Sequence, residues 1–146
     1  MAKFAQGRFE MKNTDKYVGK KVPLARSSWE FVFMKMLDEH PGVQSWASES
    51  IQIPYRDPLT GRQTIYVPDF FIQYVDKTGK KHAEVVEVKP ANQTIREQVG
   101  KSIYNQEQYI KNMAKWEAAI AWCKQYGIKF RVVNESDIFH QGSKRR

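Results

Sequence analysis

The chain is poor in the residues that several common kinds of site require. Its 146 residues include a single cysteine, Cys123, which excludes an intrachain disulfide and a cysteine-rich zinc site. Its three histidines, at positions 40, 82 and 140, are too far apart for a local metal motif, so zinc is disfavoured. No apolar run is long enough to span a membrane, and the opening residues MAKFAQGRFE lack the apolar stretch of a signal peptide. These absences predict a soluble, intracellular protein with no membrane partner.

Positive charge is concentrated at the two ends of the chain. The net charge is +8, yet positions 27 to 143 hold 14 basic and 14 acidic residues. We therefore predict a basic N-terminal arm over residues 1–26, a folded domain over residues 27–140 and a basic C-terminal tail over residues 141–146. Basic arms suit a polyanion such as double-stranded DNA, because they neutralise phosphates without fixed geometry, although a solubilising role explains the charges equally well. Lys20 and Lys21 are candidate DNA-binding residues of the arm.

The order of the elements predicts an α/β fold with a mixed central sheet flanked by helices. Ser27 is placed to cap a first helix that ends at Pro41-Gly42, with Glu30 in capping-box position. Residues 1–25 lack a lasting periodicity and are predicted to be extended. The other predicted elements are strands over residues 43–47, 50–55, 64–75, 82–89 and 128–133, turns over 57–61 and 76–79, a helix over 94–126 with a break near Gly100 and a C-cap at Gly127, and a short turn or helix over 135–139.

Two neighbouring predicted strands carry charged residues that suit phosphodiester hydrolysis. Asp69 lies within the apolar stretch Tyr66–Ile72, and Glu87 and Lys89 alternate with valines on the next strand. Alternation puts Glu87 and Lys89 on one face, and the hairpin between the strands can bring Asp69 beside Glu87. Two adjacent carboxylates favour a bound cation, and hard oxygen ligands select Mg²⁺ or Mn²⁺. Lys89 would then meet the attacking water or the charge that develops on a phosphate.

Two further carboxylates bear on this constellation. Glu84 shares the strand of Glu87 but points to the opposite face, so Glu87 is the preferred residue. Glu30 lies about 20° around the first helix from Leu37, at the edge of the apolar stripe, where it could face the sheet and complete a metal site. Capping of the helix with Ser27 explains Glu30 equally well, and one residue could serve both roles.

Several short motifs occur in the order found in a known group of nucleases. They are Arg26-Ser27-Ser28-Trp29-Glu30, Trp46-Ala47-Ser48-Glu49, Ile53-Pro54-Tyr55, Tyr66-Val67-Pro68-Asp69-Phe70 and Glu87-Val88-Lys89-Pro90. This pattern resembles the head completion nucleases of T4-like tailed bacteriophages. That group is similar in turn to the Tn7-type transposon-end nucleases within the PD-(D/E)xK superfamily.

The resemblance implies a restriction-endonuclease-like core and a Mg²⁺-dependent deoxyribonuclease, with Mn²⁺ as a substitute metal and no small-molecule cofactor. It implies that Glu30, Asp69 and Glu87 bind the metal and that Lys89 is the catalytic lysine. Arg26 matches the arginine ahead of the helix in that group and is a candidate phosphate contact, although a simple arm charge explains it equally well. The resemblance also implies action on DNA ends late in head assembly, with portal or neck proteins as candidate partners, in the host cytoplasm or the virion.

Two other functions stay open on the sequence. A junction-resolving phage endonuclease of the same superfamily would carry the same carboxylates and lysine, because junction choice depends on dimer geometry. A non-catalytic DNA-end or neck-binding protein would use the basic arms and any exposed aromatic rings of Trp116 and Trp122, although helical spacing favours a core position for both. The intact set of Asp69, Glu87 and Lys89 favours an enzyme.

Overall fold

The structure, a computed structural model, describes residues 7–89, 100 and 102–134. Among these residues no helix is both long and apolar enough to cross a membrane. The described elements are, in chain order, β1 (Gly7–Arg8), a 3₁₀ helix (Thr14–Lys16), β2 (Leu24–Ala25), α1 (Ser28–Glu39), β3 (Val43–Ser48), β4 (Ile53–Arg56), β5 (Gln63–Tyr66), β6 (Phe70–Val75), β7 (Lys81–Val88), α2 (Ile103–Gln125) and β8 (Lys129–Val133).

A four-stranded sheet in the order β3-β6-β7-β8 forms the centre of the fold. β3, β6 and β7 are antiparallel neighbours and β8 runs parallel to β7, so the sheet is mixed. One face packs against α1, where Phe33 and Leu37 meet Val86 and Val88. The other face packs against α2, beside the separate hairpin formed by β4 and β5. The predicted α/β fold, with a mixed central sheet flanked by helices, is confirmed.

Helix α1 begins as predicted, with one difference at its cap. The Ser27 side chain accepts a hydrogen bond from the backbone N–H of Glu30 at 3.1 Å, which satisfies a donor that the first helical turn leaves unpaired. In a full capping box the Glu30 side chain would return to the N–H of Ser27. Instead, Glu30 Oε1 accepts from the N–H of Arg26 at 3.0 Å. The carboxylate of Glu30 is therefore held one residue ahead of the cap, toward the end of the sheet.

The prediction of one strand over residues 64–75 is wrong, because the chain leaves one sheet and enters another within it. β5 ends at Tyr66 and pairs with β4, whereas β6 begins at Phe70 and pairs with β3 and β7. Pro68 lies in the break and has no N–H to donate to a ladder, which suits a position between strands. The break leaves Asp69 at the start of the central sheet.

Residues 7–25, predicted to be extended, fold against the domain. β1 and β2 form a two-stranded ribbon, and the buried residues Phe9 and Ala25 belong to the core on the α1 side. Tyr17 stacks edge-on to Trp46 with ring centroids 4.8 Å apart. Seven of the 19 residues in this segment are charged, and they hid the few apolar residues that anchor it. The division of the chain at residues 26 and 140 stays a prediction, since residues 1–6 and 135–146 lie outside the described part.

The second half of the chain follows the prediction where it is described. The predicted helix over residues 94–126 appears as α2, with Ser102 as its N-cap, and Gly100 has a φ of +75°, which interrupts a helix. Gly127, at a φ of +68°, ends the helix as the predicted C-cap glycine. β8 forms within the predicted range. The predicted helix start at residues 94–99 and the turn or helix over residues 135–139 lie outside the described residues.

Candidate active site

Asp69 and Glu87 meet where β6 begins and β7 ends. The backbone N–H of Asp69 donates to Glu87 Oε1 at 3.1 Å, and the backbone N–H of Val88 donates to Asp69 Oδ2 at 2.8 Å. These two bonds continue the pairing of the strands beyond its last register pair, Phe70 with Val86. Each carboxylate is thus fixed by the backbone beside the other, on the face of the sheet that α2 covers.

Lys89 lies two residues after Glu87 and therefore on the same face of the sheet. Its Nζ lies 3.7 Å from Glu87 Oε2, and its backbone N–H donates to the carbonyl of Val133 at 3.0 Å. The side chain is partly exposed, whereas Glu87 is only 5% exposed. The structure therefore brings Asp69, Glu87 and Lys89 together as the sequence predicts, with the lysine between the buried carboxylates and solvent.

The electrostatics of this cluster disfavour two ionised carboxylates without a cation. Residue Asp69 keeps some exposed surface, but its carboxylate is enclosed by protein, and burial followed by the charges of Glu87 and Glu30 raises its pKa well above the usual range. Burial also raises the pKa of Glu87, against the opposing effect of Lys89. The pKa of Glu30 is raised chiefly by burial as well. Three carboxyl groups with raised pKa values at one place are typical of a functional site.

Glu30 stands close to this pair but apart from it. Its charge contributes to the raised pKa of Asp69, yet its Oε1 is held by the N–H of Arg26. Among residues 7–89, 100 and 102–134, no three histidine, cysteine, aspartate or glutamate side chains are clustered closely enough to hold a metal ion as they stand. The predicted metal-binding role of Glu30 stays a prediction, and at the start of α1 its side chain bonds the N–H of Arg26 instead of that of Ser27.

Arg26 reaches the site through Glu49, a residue that the sequence analysis did not single out. The Arg26 guanidinium forms an ion pair with the Glu49 carboxylate, and the N–H of Glu49 donates to the carbonyl of Asp69 at 2.9 Å. Glu49 has a φ of +52°, a conformation that is uncommon outside glycine and is found at functional sites. Its place at the end of the motif Trp46–Glu49 was the available signal.

Lys20 and Lys21 lie at the same end of the sheet as Asp69. The Tyr17 hydroxyl donates to the carbonyl of Lys21 and accepts from the N–H of Ser48, the last residue of β3, at 3.2 Å. Both lysine side chains are exposed. Both lysines are therefore exposed near the candidate site, and their DNA-binding role stays a prediction.

Helix α2 supplies neighbours of Glu87 that strand patterns do not reveal. Lys115 Nζ lies 5.7 Å from the ring centroid of Tyr66. Tyr66 is buried beside Glu87, and burial, followed by the charge of Glu87, raises the pKa of its phenol. Trp116 is buried in the cluster between α2 and the β4–β5 hairpin, and Trp122 packs against it. The predicted core position is confirmed for Trp116, whereas Trp122 is only partly buried.

Glu84, the alternative to Glu87, has structural partners on the opposite face. It is as buried as Glu87, at 5% exposure, but its carboxylate accepts from the Tyr74 hydroxyl at 2.5 Å and from Arg131 Nε at 3.0 Å. Both oxygens are therefore engaged on the α1 side of the sheet. The preference for Glu87, which rested on strand alternation, agrees with this geometry.

Comparison with known proteins gives this fold and site a family. The chain belongs to the TnsA-like endonucleases, since the family described as TnsA-like endonuclease N terminal matches residues 40–135. It is also similar to the head completion nuclease of Enterobacteria phage T4, with 31% identity over an alignment of 152 residues that covers 94% of this chain and 96% of the relative. The predicted resemblance and the predicted restriction-endonuclease-like core are confirmed, and the chain is a nuclease.

Proposed function

We propose that this nuclease is a Mg²⁺-dependent deoxyribonuclease of the PD-(D/E)xK type that hydrolyses phosphodiester bonds at DNA ends during phage head completion. The observation that carries the chemistry is the pair of hydrogen bonds that fixes Asp69 and Glu87 beside each other, with Lys89 Nζ 3.7 Å from Glu87. The substrate and its timing rest on the similarity to the phage T4 head completion nuclease.

The residues present fit a divalent cation. Asp69 and Glu87 are hard oxygen donors whose pKa values are raised by burial, so a cation of the Mg²⁺ or Mn²⁺ type would relieve their repulsion. Glu30 is the third proposed ligand, which it can become by releasing the Arg26 N–H. When bound, the metal would activate a water molecule and offset charge on the phosphate.

The side chains of the site have separate parts in the hydrolysis. Water attacks phosphorus, the bond from phosphorus to the leaving sugar oxygen breaks, and that oxygen takes up a proton. Asp69 and Glu87 would hold the cation, which would supply positive charge for the reacting phosphate. Lys89 places its ammonium group toward the phosphate, where it stabilises charge that develops in the transition state. Arg26, Lys20 and Lys21, at the same end of the sheet, bind flanking phosphates of double-stranded DNA.

The biological setting of the enzyme is also part of the proposal and rests on the same similarity. The enzyme would act in the host cytoplasm during assembly of the phage and could remain with the virion. Portal or neck proteins are the candidate partners on the same ground.

A comparison of DNA substrates tests the function. The full chain is incubated with linear, supercoiled and four-way-junction DNA, in Mg²⁺, Mn²⁺ or EDTA. We expect cleavage of linear DNA from its ends in Mg²⁺ and none in EDTA. Preferred cleavage of the four-way junction would indicate a junction-resolving enzyme instead of an end-processing one. DNA binding without cleavage in either Mg²⁺ or Mn²⁺ would indicate a structural DNA-end or neck-binding protein instead of an enzyme.

Replacement of Lys89 tests the catalytic role of its charge. Lys89→Met should slow cleavage by about 10²-fold or more, because methionine keeps the apolar stem and removes the cation that stabilises the transition state. The matched control is Lys80→Met. Lys80 is exposed just before the start of β7 and lies nine residues from Lys89, about 30 Å along the strand. Equal rates for the two folded variants would contradict the role of Lys89.

A further inference from the structure

Lys115 has no part in the mechanism so far, although it reaches the active site from α2. It lies in the middle of that helix, next to Trp116, which is buried against the β4–β5 hairpin. Its ammonium group lies 5.7 Å from the centroid of the Tyr66 ring. Tyr66 ends β5, three residues before Asp69, and its buried phenol lies beside Glu87. The packing of α2 on the hairpin therefore points the Lys115 side chain toward the carboxylate pair.

The surroundings of Lys115 differ from those of the lysine one turn earlier. Lys111 Nζ lies 3.8 Å from Asp57 Oδ2, which gives it an acidic partner. In the described part of the chain no carboxylate lies within 4.0 Å of Lys115 Nζ, even though the side chain is partly buried. A lysine that is withdrawn from water without an acidic partner is costly unless an anion binds to it.

Lys89 adds a second positive charge near Lys115. Burial, followed by the charge of Lys89, lowers the pKa of Lys115, while Glu87 opposes this. The two ammonium groups therefore approach the same carboxylate from different elements, β7 and α2. Lys89 Nζ lies 3.7 Å from Glu87 Oε2, and Lys115 Nζ lies over the ring of the neighbouring Tyr66, so two cations stand near one buried carboxylate at the proposed phosphodiester site. A further anion such as a phosphate would be attracted to both.

We propose that Lys115 is a second phosphate-binding residue of the active site, which holds a DNA phosphate between its own ammonium group and that of Lys89. This inference rests on the proposed nuclease function, since it gives a task to a residue of the same site. The contact comes from α2, a different element from the segment before α1 that carries Arg26, Lys20 and Lys21. DNA would thus be held by residues of both segments. The face of the Tyr66 ring attracts the ammonium group of Lys115 and so favours its position beside the site.

The salt dependence of DNA binding tests the contact separately from cleavage. Affinity of the full chain for a labelled linear duplex is measured in EDTA over a range of salt concentrations, for wild type, Lys115→Met, Lys115→Arg and Lys124→Met. Lys124 is a matched control, because it is an exposed lysine in the last turn of the same helix. It lies nine residues after Lys115 and therefore about 180° away around the helix axis. Single-turnover cleavage in Mg²⁺ and thermal melting are recorded for each variant.

Loss of a phosphate contact should lower the slope of log affinity against log salt by about one. We expect this change in Lys115→Met, together with a loss of cleavage of about 10-fold or more, while Lys115→Arg and Lys124→Met keep the wild-type slope. A Lys115→Met protein that melts like wild type, with an unchanged slope and rate, would overturn the proposal. If Lys115→Met does not fold, Lys115→Gln is measured in its place. If folded Lys115→Arg shows the same loss of slope and cleavage as the neutral variant, the proposal is also overturned.

The two proposals fail in different ways. If wild type binds DNA but never cleaves it, the altered slope of Lys115→Met still establishes the phosphate contact, and the nuclease chemistry proposed for this site falls alone. If wild type cleaves DNA and Lys115→Met behaves like wild type throughout, the role of Lys115 falls alone.

Discussion

Glu87→Gln should reduce DNA cleavage on the order of 10³-fold, which corresponds to about 4 kcal/mol of transition-state stabilisation. Glutamine keeps the oxygen that accepts from the N–H of Asp69, so the local backbone has no reason to move. It removes a buried negative charge that the proposed cation needs. Because burial raises the pKa of Glu87, loss of this charge should leave the metal-free protein at least as stable as wild type. Activity and stability should therefore change in opposite directions.

The chain offers a closely matched control for this variant in Glu84→Gln. Glu84 lies on the same strand and is equally buried, at 5% exposure, but its carboxylate pairs with Arg131 and Tyr74 on the other face. The control should lose stability, by about 1–3 kcal/mol, because it weakens a charged hydrogen bond at a buried group. Its cleavage rate per folded molecule should stay near that of wild type. A loss of cleavage in Glu84→Gln with normal cleavage in Glu87→Gln would reverse the assignment of the two strand faces.

Removal of the metal should lower the stability of the folded protein, and more so at high pH. At a Mg²⁺ concentration about 100 times its dissociation constant, binding to the native state alone adds about 2.7 kcal/mol to the free energy of unfolding. This gain should appear in wild type and disappear in Asp69→Asn, whose side chain lacks the charge that the cation would neutralise. The measurement is urea unfolding with Mg²⁺ and with EDTA. An equal gain in the two proteins would contradict metal binding at Asp69.

The pH dependence without metal has a definite sign. The folded-state pKa values of Asp69, Glu87 and Glu30 are raised above those of the unfolded chain, so between the two values the native state binds more protons. The free energy of unfolding in EDTA should therefore fall as pH rises from about 5 to about 8, beyond the unfolded carboxyl values near 4. Asp76 acts in the opposite direction, because its hydrogen bonds with Thr78 and His82 lower its pKa, but its effect is confined to more acidic pH.

Urea unfolding of wild type and Asp69→Asn in EDTA across this range measures the effect. We expect a smaller decrease in the variant, because one of the three carboxyl groups with raised pKa values is gone. Stability of wild type that rises with pH over the same range would show that these carboxyl groups are not held at raised pKa values.

The carboxylates and lysine of the site could be predicted because their arrangement is local. Alternation along one strand places Glu87 and Lys89 on one face, and the short connection between β6 and β7 brings Asp69 to Glu87. The capping role of Ser27 is local in the same way, since it depends on residues three positions apart. The catalytic and metal-binding roles of Glu30, Asp69, Glu87 and Lys89 stay predictions that the experiments above address.

The features that escaped prediction depend on contacts between distant segments. Apolar periodicity runs through Tyr66 and Phe70, so it cannot show that the two residues pair in different sheets. Phe9 reaches the core although its neighbours are polar, because burial there depends on the ribbon made with β2. Lys115 is one of several lysines on α2, and only the packing of that helix on the hairpin shows which of them faces Glu87.

The central claim is that Asp69 and Glu87 hold a divalent cation that DNA cleavage requires. It is tested most directly by single-turnover cleavage of linear DNA over a titration of Mg²⁺, from EDTA to saturation, with wild type and Asp69→Asn. The account predicts a rate that rises to a plateau with Mg²⁺ in wild type and stays at background in the folded variant. Cleavage by wild type in EDTA, or a wild-type plateau in Asp69→Asn, would contradict it.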